Sequence, residues 1–207
     1  MPDQKHNAEP YVPEHAGLAK LAEAAQKCHG CPLYKHATQV VFGEGSSHAK
    51  IMLVGEQPGD VEDKTGHPFT GPAGKILDKA MAAAGLAREI CYFTNAVKHF
   101  KFEERGKRRL HKKPRVIEVH ACYPWLEAEI ELVKPEVIVC LGATATRAIL
   151  GPTVKVMQDH GQDLPSPLAP HVVATIHPSS VLRMTDHETR VRQMKLLVTD
   201  LEKAAGF

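Results

Sequence analysis

No stretch of this 207-residue chain is long and apolar enough to cross a bilayer. Residues 1–15 are polar and Pro-containing, without the apolar run a secretory signal needs. A strong charge bias is missing as well. The 26 Lys and Arg against 24 Asp and Glu leave a formal net charge of +2, so any nucleic-acid footprint has to be local. No GxGxxG follows the first apolar strand, which argues against a nucleotide-cofactor oxidoreductase. No repeat, low-complexity tract or linker divides the sequence. The expectation is a soluble, cytoplasmic, single-domain protein over residues 1–207, with 1–14 as a flexible N-terminal tail. With 43% hydrophobic residues it can bury a sizeable core.

What is present alternates between strand and helix. Residues 15–27 read as an amphipathic helix. The run 49–54 is short, apolar and ends at Gly55, as a buried parallel strand does. Residues 56–70 read as a long loop, and Pro72 to Ala84 as a helix with Gly85 as a plausible cap. Ile90 to Thr94 is a second strand, and residues 98–114 form a basic loop. Pro114 suits the start of a helix over Val116 to Val133. Strand 136–141 precedes a helix to Leu150, and a short strand near Val154 to Met157 is possible. Strand 172–176 and helix 188–205 complete the chain. This alternation predicts an α/β fold, a three-layer α/β/α sandwich around a mainly parallel four-stranded sheet.

The basic loop stands out. In Arg105-Gly106-Lys107-Arg108-Arg109-Leu110-His111-Lys112-Lys113, six cations surround one histidine. Such a loop attracts an anion, and a nucleic-acid backbone is the natural one. Crowded cations also penalise a proton on His111. A neutral imidazole beside DNA serves as a base or nucleophile, or only as one more polar contact in a phosphate-gripping loop.

Five cysteines divide into two groups. Cys91 and Cys140 sit in apolar strands and read as core residues. Cys28 and Cys31 form a CxxC that follows a helix and leads into a loop, unlike a thioredoxin motif, so a metal or iron–sulfur site fits better. Cys122 is the third ligand by elimination. Spacing leaves the fourth open, and the chain has 13 histidines.

Polar residues gather where parallel strands end, which is where α/β sheets bind ligands. The first strand ends in Gly55-Glu56-Gln57-Pro58-Gly59-Asp60, the second in Asn95, the last in His177-Pro178-Ser179-Ser180. A carboxylate, two carboxamides and a histidine at successive strand ends form a convergent polar set.

Those segments, with Gly66-His67-Pro68-Phe69-Thr70-Gly71-Pro72-Ala73-Gly74, Thr94-Asn95 and Leu141-Gly142-Ala143-Thr144, resemble the iron–sulfur branch of the uracil-DNA glycosylase superfamily from about Cys28 to the C-terminal helix. Gln57 after Glu56 and the Lys107-Arg108-Arg109-Leu110-His111 insertion are similar to the UdgX-type proteins, which excise uracil and stay covalently joined to the DNA through the loop histidine. The resemblance implies that Phe69 stacks on an extruded uracil, that Asn95 reads its Watson–Crick edge, and that main-chain groups around Gly55 and Gln57 complete the pocket. His177 would donate to a pyrimidine oxygen of the departing anion. Glu56 would stabilise the oxocarbenium-like sugar or orient the nucleophile. Lys107, Arg108, Arg109 and Ser179 would hold phosphate. The expected partner is uracil-containing DNA, preferably single-stranded, bound by a monomer.

Two outcomes follow from one site. Attack by His111 traps the sugar as a histidine adduct, a single-turnover enzyme. Attack by water releases an abasic site, a conventional turnover glycosylase. A non-enzymatic DNA-binding or electron-transfer module would need neither Glu56 nor Asn95. Relatives in the iron–sulfur branch have a cysteine after the Asn-x-x-Lys segment, where this chain has His99. The implied ligands of a [4Fe–4S] cluster are then Cys28, Cys31, His99 and Cys122. Cys91 in place of His99, and zinc in a Cys₃His site, are the rivals.

Overall fold

A computed structural model describes residues 6–207. Its strands are β1 (Glu44–Gly45), β2 (Ile51–Gly55), β3 (Cys91–Asn95), β4 (Phe102–Arg105), β5 (Arg108–His111), β6 (Val137–Leu141) and β7 (His171–Thr175). Its α-helices are α1 (Leu18–Ala25), α2 (Asp60–Thr65), α3 (Pro72–Ala83), α4 (Val116–Val133), α5 (Ala143–Leu150), α6 (Val156–Asp159), α7 (Pro178–Arg183) and α8 (His187–Ala205). The main sheet runs β1-β3-β2-β6-β7. β3, β2, β6 and β7 are mutually parallel, and the two-residue β1 adds an antiparallel edge.

Strand alternation builds the three layers. Ile51 and Leu53 of β2 face a core with Leu77 and Met81 of α3 and Leu197 and Leu201 of α8. Met52 and Val54 face the other core, with Leu126 and Ile130 of α4 and Ala145 and Ile149 of α5. Both faces are covered, which is why the strands read as unbroken apolar runs. A third cluster joins Leu21 and Ala25 of α1, Cys28, Cys31, Val97, Cys122 and Trp125.

Four expectations need correction. The basic segment is a hairpin, β4 against β5, with Gly106 turning the chain at φ 60°. Its exposed strands carry charge in place of apolar alternation, so the period-2 signal is absent. Residues 60–65 inside the expected loop form α2. Val156–Asp159 is a helical turn, so the expected strand near 154–157 does not form. Part of the expected tail, 1–5, lies outside the described residues; beyond it, Ala8 is buried and its N–H donates to the Ala121 carbonyl at 2.8 Å, which docks the segment on α4. Among the described residues no helix is long and apolar enough to cross a membrane.

Candidate active site and thiol cavity

Neighbouring parallel strands bring the strand-end residues together. Gly55 and Asn95 are register partners at the ends of β2 and β3. A Cβ on Gly55 would stand 2.3 Å from Asn95 Oδ1 and 2.7 Å from Phe69 Cζ, so only glycine leaves the Asn95 amide and the Phe69 ring side by side. Phe69 takes a left-handed backbone (φ 56°), a strained conformation for a bulky residue. Two neighbours hold it there. Buried Glu62 accepts from the Gly71 N–H at 3.0 Å, and Gly74 gives room to the Phe69 carbonyl, which would lie 1.7 Å from any Cβ.

Glu56 follows directly. One carboxylate oxygen, Oε2, accepts from the Thr144 hydroxyl at the start of α5; the other, Oε1, lies 3.3 Å from His111 Nε2. Burial pushes the Glu56 carboxyl up, but the hydrogen bonds from His111 and Thr144, with the nearby charges of His111 and His177, hold it below the ordinary range. Glu56 is therefore an anion at neutral pH.

His177 caps α7. Its Nδ1 accepts from the Ser179 N–H at 3.1 Å, which assigns the proton of the neutral ring to Nε2. Burial pushes its pKa down to about 4, against the pull of Glu56. A neutral N–H donor results. Gly142, at φ 86°, permits this packing, since a Cβ there would meet His177 Cβ at 2.8 Å.

The hairpin is tied to this edge by two clamps. The Gln57 amide donates to the carbonyls of Lys101 and Lys112, both at 3.1 Å, and accepts from the Lys101 N–H at 3.1 Å. Arg109 pairs with Asp60 at 2.5 Å and with fully buried Asp63 at 2.6 Å, both on α2, and lies over the Phe102 ring at 4.9 Å. Arg109 thus ties the hairpin to α2 through Asp60 and Asp63. Gln57 likewise spends its side chain on the hairpin root. Ser179 gives its N–H to His177, and its hydroxyl lies between His177 Nδ1 at 2.8 Å and Arg183 at 3.0 Å, so it positions the imidazole. The expected crowd of cations around His111 is thinner too: Lys112 pairs with Glu103, and the ring faces Glu56. Lys107 and Arg108 stand exposed at the turn.

The four expected metal ligands converge. Cys28, Cys31, His99 and Cys122 all line one small cavity with Trp125 and Lys98. Cys91 and Cys140 lie in the two sheet cores instead. Cys28 Sγ accepts from Trp125 Nε1 at 3.2 Å and from the Gly30 N–H at 3.5 Å; Cys122 Sγ accepts from the Lys98 N–H at 3.3 Å. Burial pushes the Cys122 thiol up to about 12 and the His99 imidazole down to about 4. Thiols surrounded by N–H donors, with a neutral imidazole, suit a thiolate-ligated group that supplies the missing positive charge. Among the described residues, no three His, Cys, Asp or Glu stand close enough to hold a single metal ion.

Sequence reasoning missed Thr144, Asp60 and Asp63 as functional partners. The Asp pair carried a signal, two carboxylates three residues apart on one helical face opposite an arginine-rich segment. Thr144 carried only its place just after the end of β6.

The sequence is similar to those of known proteins. A type-4 uracil-DNA glycosylase of Thermotoga maritima is 37% identical over 90% of this chain and 92% of its own. Another type-4 uracil-DNA glycosylase, from Pyrobaculum aerophilum, is 37% identical over 64% of each chain. A type-5 uracil-DNA glycosylase of the same organism is 33% identical over 65% of this chain and 63% of its own. Residues 42–202 match the family model for the uracil DNA glycosylase superfamily, a span that takes in the Gly55–Phe69–Asn95 cradle, Glu56, the hairpin and His177. A cradle built on the carboxyl edge of the sheet, with this match around it, makes the chain a member of the uracil-DNA glycosylase superfamily.

Proposed function

We propose that this protein removes uracil from DNA, preferentially single-stranded, acting as a monomer. The carrying observation is the cradle in which Gly55 leaves the Phe69 ring and the Asn95 amide adjacent, with the Glu56 anion next in sequence. Phe69 offers a face on which a flipped base stacks. Asn95 donates to one position of the pyrimidine edge and accepts from the next, which selects uracil over cytosine. The C1′–N1 bond breaks with its electron pair on uracil N1. The Nε2–H of neutral His177 donates to the developing oxyanion, and the Glu56 carboxylate opposes the positive sugar.

The names of the relatives support the conventional outcome, in which water takes C1′ and abasic DNA leaves. A second outcome, that of UdgX-type proteins, is favoured by one observation: His111 Nε2 stands 3.3 Å from Glu56 Oε1. In that outcome the ring reacts as its Nδ1–H tautomer: the Nε2 lone pair bonds to C1′, the Glu56 carboxylate opposes the charge of the alkylated imidazolium, and loss of the Nδ1 proton to solvent leaves a neutral alkylated imidazole. Nothing then hydrolyses the C–N bond readily, so the adduct persists. Incubation with a uracil-containing oligonucleotide, followed by denaturing electrophoresis and peptide mapping, tests both levels. Free uracil is the expected product. An SDS-stable band mapped to His111, absent in His111→Ser, supports capture; turnover in substrate excess without the band supports hydrolysis. No uracil release overturns the glycosylase reading itself.

The thiol cavity supports a [4Fe–4S] cluster held by Cys28, Cys31, His99 and Cys122. Bound there, the cluster would cross-link the CxxC segment, the residues after β3 and α4. A broad visible absorption band that is lost with the iron distinguishes it from zinc.

A further inference from the structure

We propose that Thr144 is a positioning residue that decides which partner the Glu56 carboxylate serves, and so biases the fate of the sugar cation toward His111 and away from water. The inference rests on the reading of Glu56 and His111 given above. Thr144 lies in the first turn of α5, just beyond the carboxyl end of β6, and is almost fully buried. Its hydroxyl donates to Glu56 Oε2. Oε1 is left facing His111 Nε2. Each carboxylate oxygen thus has one protein partner, and the plane of the carboxylate is fixed by a group that takes no part in bond making. A carboxylate held this way is fixed in one orientation, with a lone pair of Oε2 taken by Thr144 and Oε1 turned toward the imidazole, where it opposes the positive charge that attack develops on the ring.

Without the Thr144 hydroxyl, the carboxylate turns about its side chain and Oε2 becomes available to water. The bonds then differ only in the nucleophile: in hydrolysis, water oxygen bonds to C1′ and one of its protons passes to Glu56; in capture, the Nε2 lone pair bonds to C1′ and the Nδ1 proton is lost to solvent. The charged and titratable groups facing Glu56 are His111 from β5 and His177 from the end of β7; Arg183 of α7 acts on His177. Losing a hydrogen bond to the charged form raises the carboxyl pKa, so activity that needs the Glu56 anion fails at a higher pH than before.

Thr144→Val keeps the shape and removes the donor; Thr144→Ser keeps the donor. With a uracil-containing single-stranded oligonucleotide under single-turnover conditions, Thr144→Val should lower the ratio of SDS-stable conjugate to abasic product about tenfold, the weight of one charge-assisted hydrogen bond. The acid limb of uracil release should move up by up to about one pH unit, and Thr144→Ser should restore both. A Thr144→Val protein with the wild-type ratio and the wild-type acid limb overturns the proposal. Should the wild type release uracil without conjugate, the capture reading fails while the limb still decides whether Thr144 anchors Glu56. Carboxyl ¹³C titration of Glu56 in the free protein decides the same point without substrate: a Glu56 pKa equal in wild type and Thr144→Val sinks the proposal, even if uracil release itself were never observed.

Discussion

The carboxyl edge of the sheet and the hairpin beside it carry the two halves of one site, and they are held by different physics. Gly55, Asn95 and Phe69 are placed by burial: β2 and β3 are buried throughout, and the cradle forms because the strands must pair in that register. The hairpin has almost no core of its own. All eight residues of β4 and β5 are at least partly exposed, six of them fully, whereas β2, β3 and β6 are buried throughout. The hairpin is held by Gln57 at its root and by the pairing of its own Arg109 with Asp60 and Asp63 of α2. The edge is therefore inherited from the fold, while the hairpin is an attachment whose position depends on two polar side chains. Changes at the edge should alter chemistry without moving the hairpin, and changes at the clamps should release the hairpin without unfolding the sheet.

The largest effect should come from the edge. Asn95→Ala removes the group that pairs with the base, and uracil release should fall by roughly 10²–10³-fold, the cost of deleting one preorganised polar partner of a transition state. Melting should change little, since the residue ends a strand and its backbone pairing survives. Single-turnover release with a thermal melt on the same sample checks both. A small kinetic loss with a large drop in melting temperature would erase the distinction between the regions.

The clamp comes next. Arg109→Ala leaves Asp63, which has no exposed surface, with Thr38 as its one side-chain hydrogen-bonding partner among the described residues, through the Thr38 N–H at 3.0 Å and hydroxyl at 2.6 Å. Breaking a buried pair on one side costs roughly 3 kcal/mol. If the hairpin opens as a local unit, that cost appears as a population of detached hairpin, not as lost global stability. Conjugation through position 111 should drop by roughly a hundredfold while uracil release stays within a few-fold. Equal loss of both would mean that the hairpin also builds the base pocket.

How much of this was legible follows the same division. Where burial decides, the sequence speaks plainly: Val116 to Val133 reads as a helix to the residue, and the run 49–54 as the strand found at Ile51–Gly55. The strand-end set Glu56, Asn95 and His177 was readable because a parallel sheet has only one edge on which to collect polar groups. The hairpin was not, since its strands carry neither periodicity, and basic residues in a row look alike whether they hold phosphate or carboxylate. Arg109 among Lys107, Arg108 and Lys112 has no mark of its own; only the approach of α2 turns it into a strut. Of the four residues around the thiol cavity, Cys28 and Cys31 were legible from their CxxC and Cys122 by elimination, but His99 only through the family resemblance, because spacing marks none of the 13 histidines.

Burial at the edge has its own signature in pH. His177 has a folded pKa of about 4 against an ordinary 6.5, so between these values the unfolded chain binds more protons and stability rises with pH. The penalty is fully present below about 4 and gone above 6.5. Urea unfolding at pH 4.5 and 6.5 should show a wild-type difference larger than that of His177→Gln by on the order of 2 kcal/mol. Identical differences in the two proteins would mean that the imidazole is more open to water than its packing against Gly142 indicates.

The smallest effect belongs to the tip of the hairpin, and it distinguishes holding from gripping. Among the described residues, Lys107 and Arg108 carry no ion pair, whereas Arg109, two positions from the turn, carries two. A cation without a carboxylate partner is available to release a counterion on binding DNA; one already paired is not. Lys107→Ala should thus weaken binding of a uracil-free single strand only modestly and reduce the slope of log K against log salt by about 0.7. Arg109→Ala, although far more damaging to conjugation, should leave that slope nearly unchanged until the hairpin detaches. If the two slopes shift alike, Arg109 exchanges its aspartates for phosphate when DNA arrives, and the hairpin would be held by the substrate as much as by the protein.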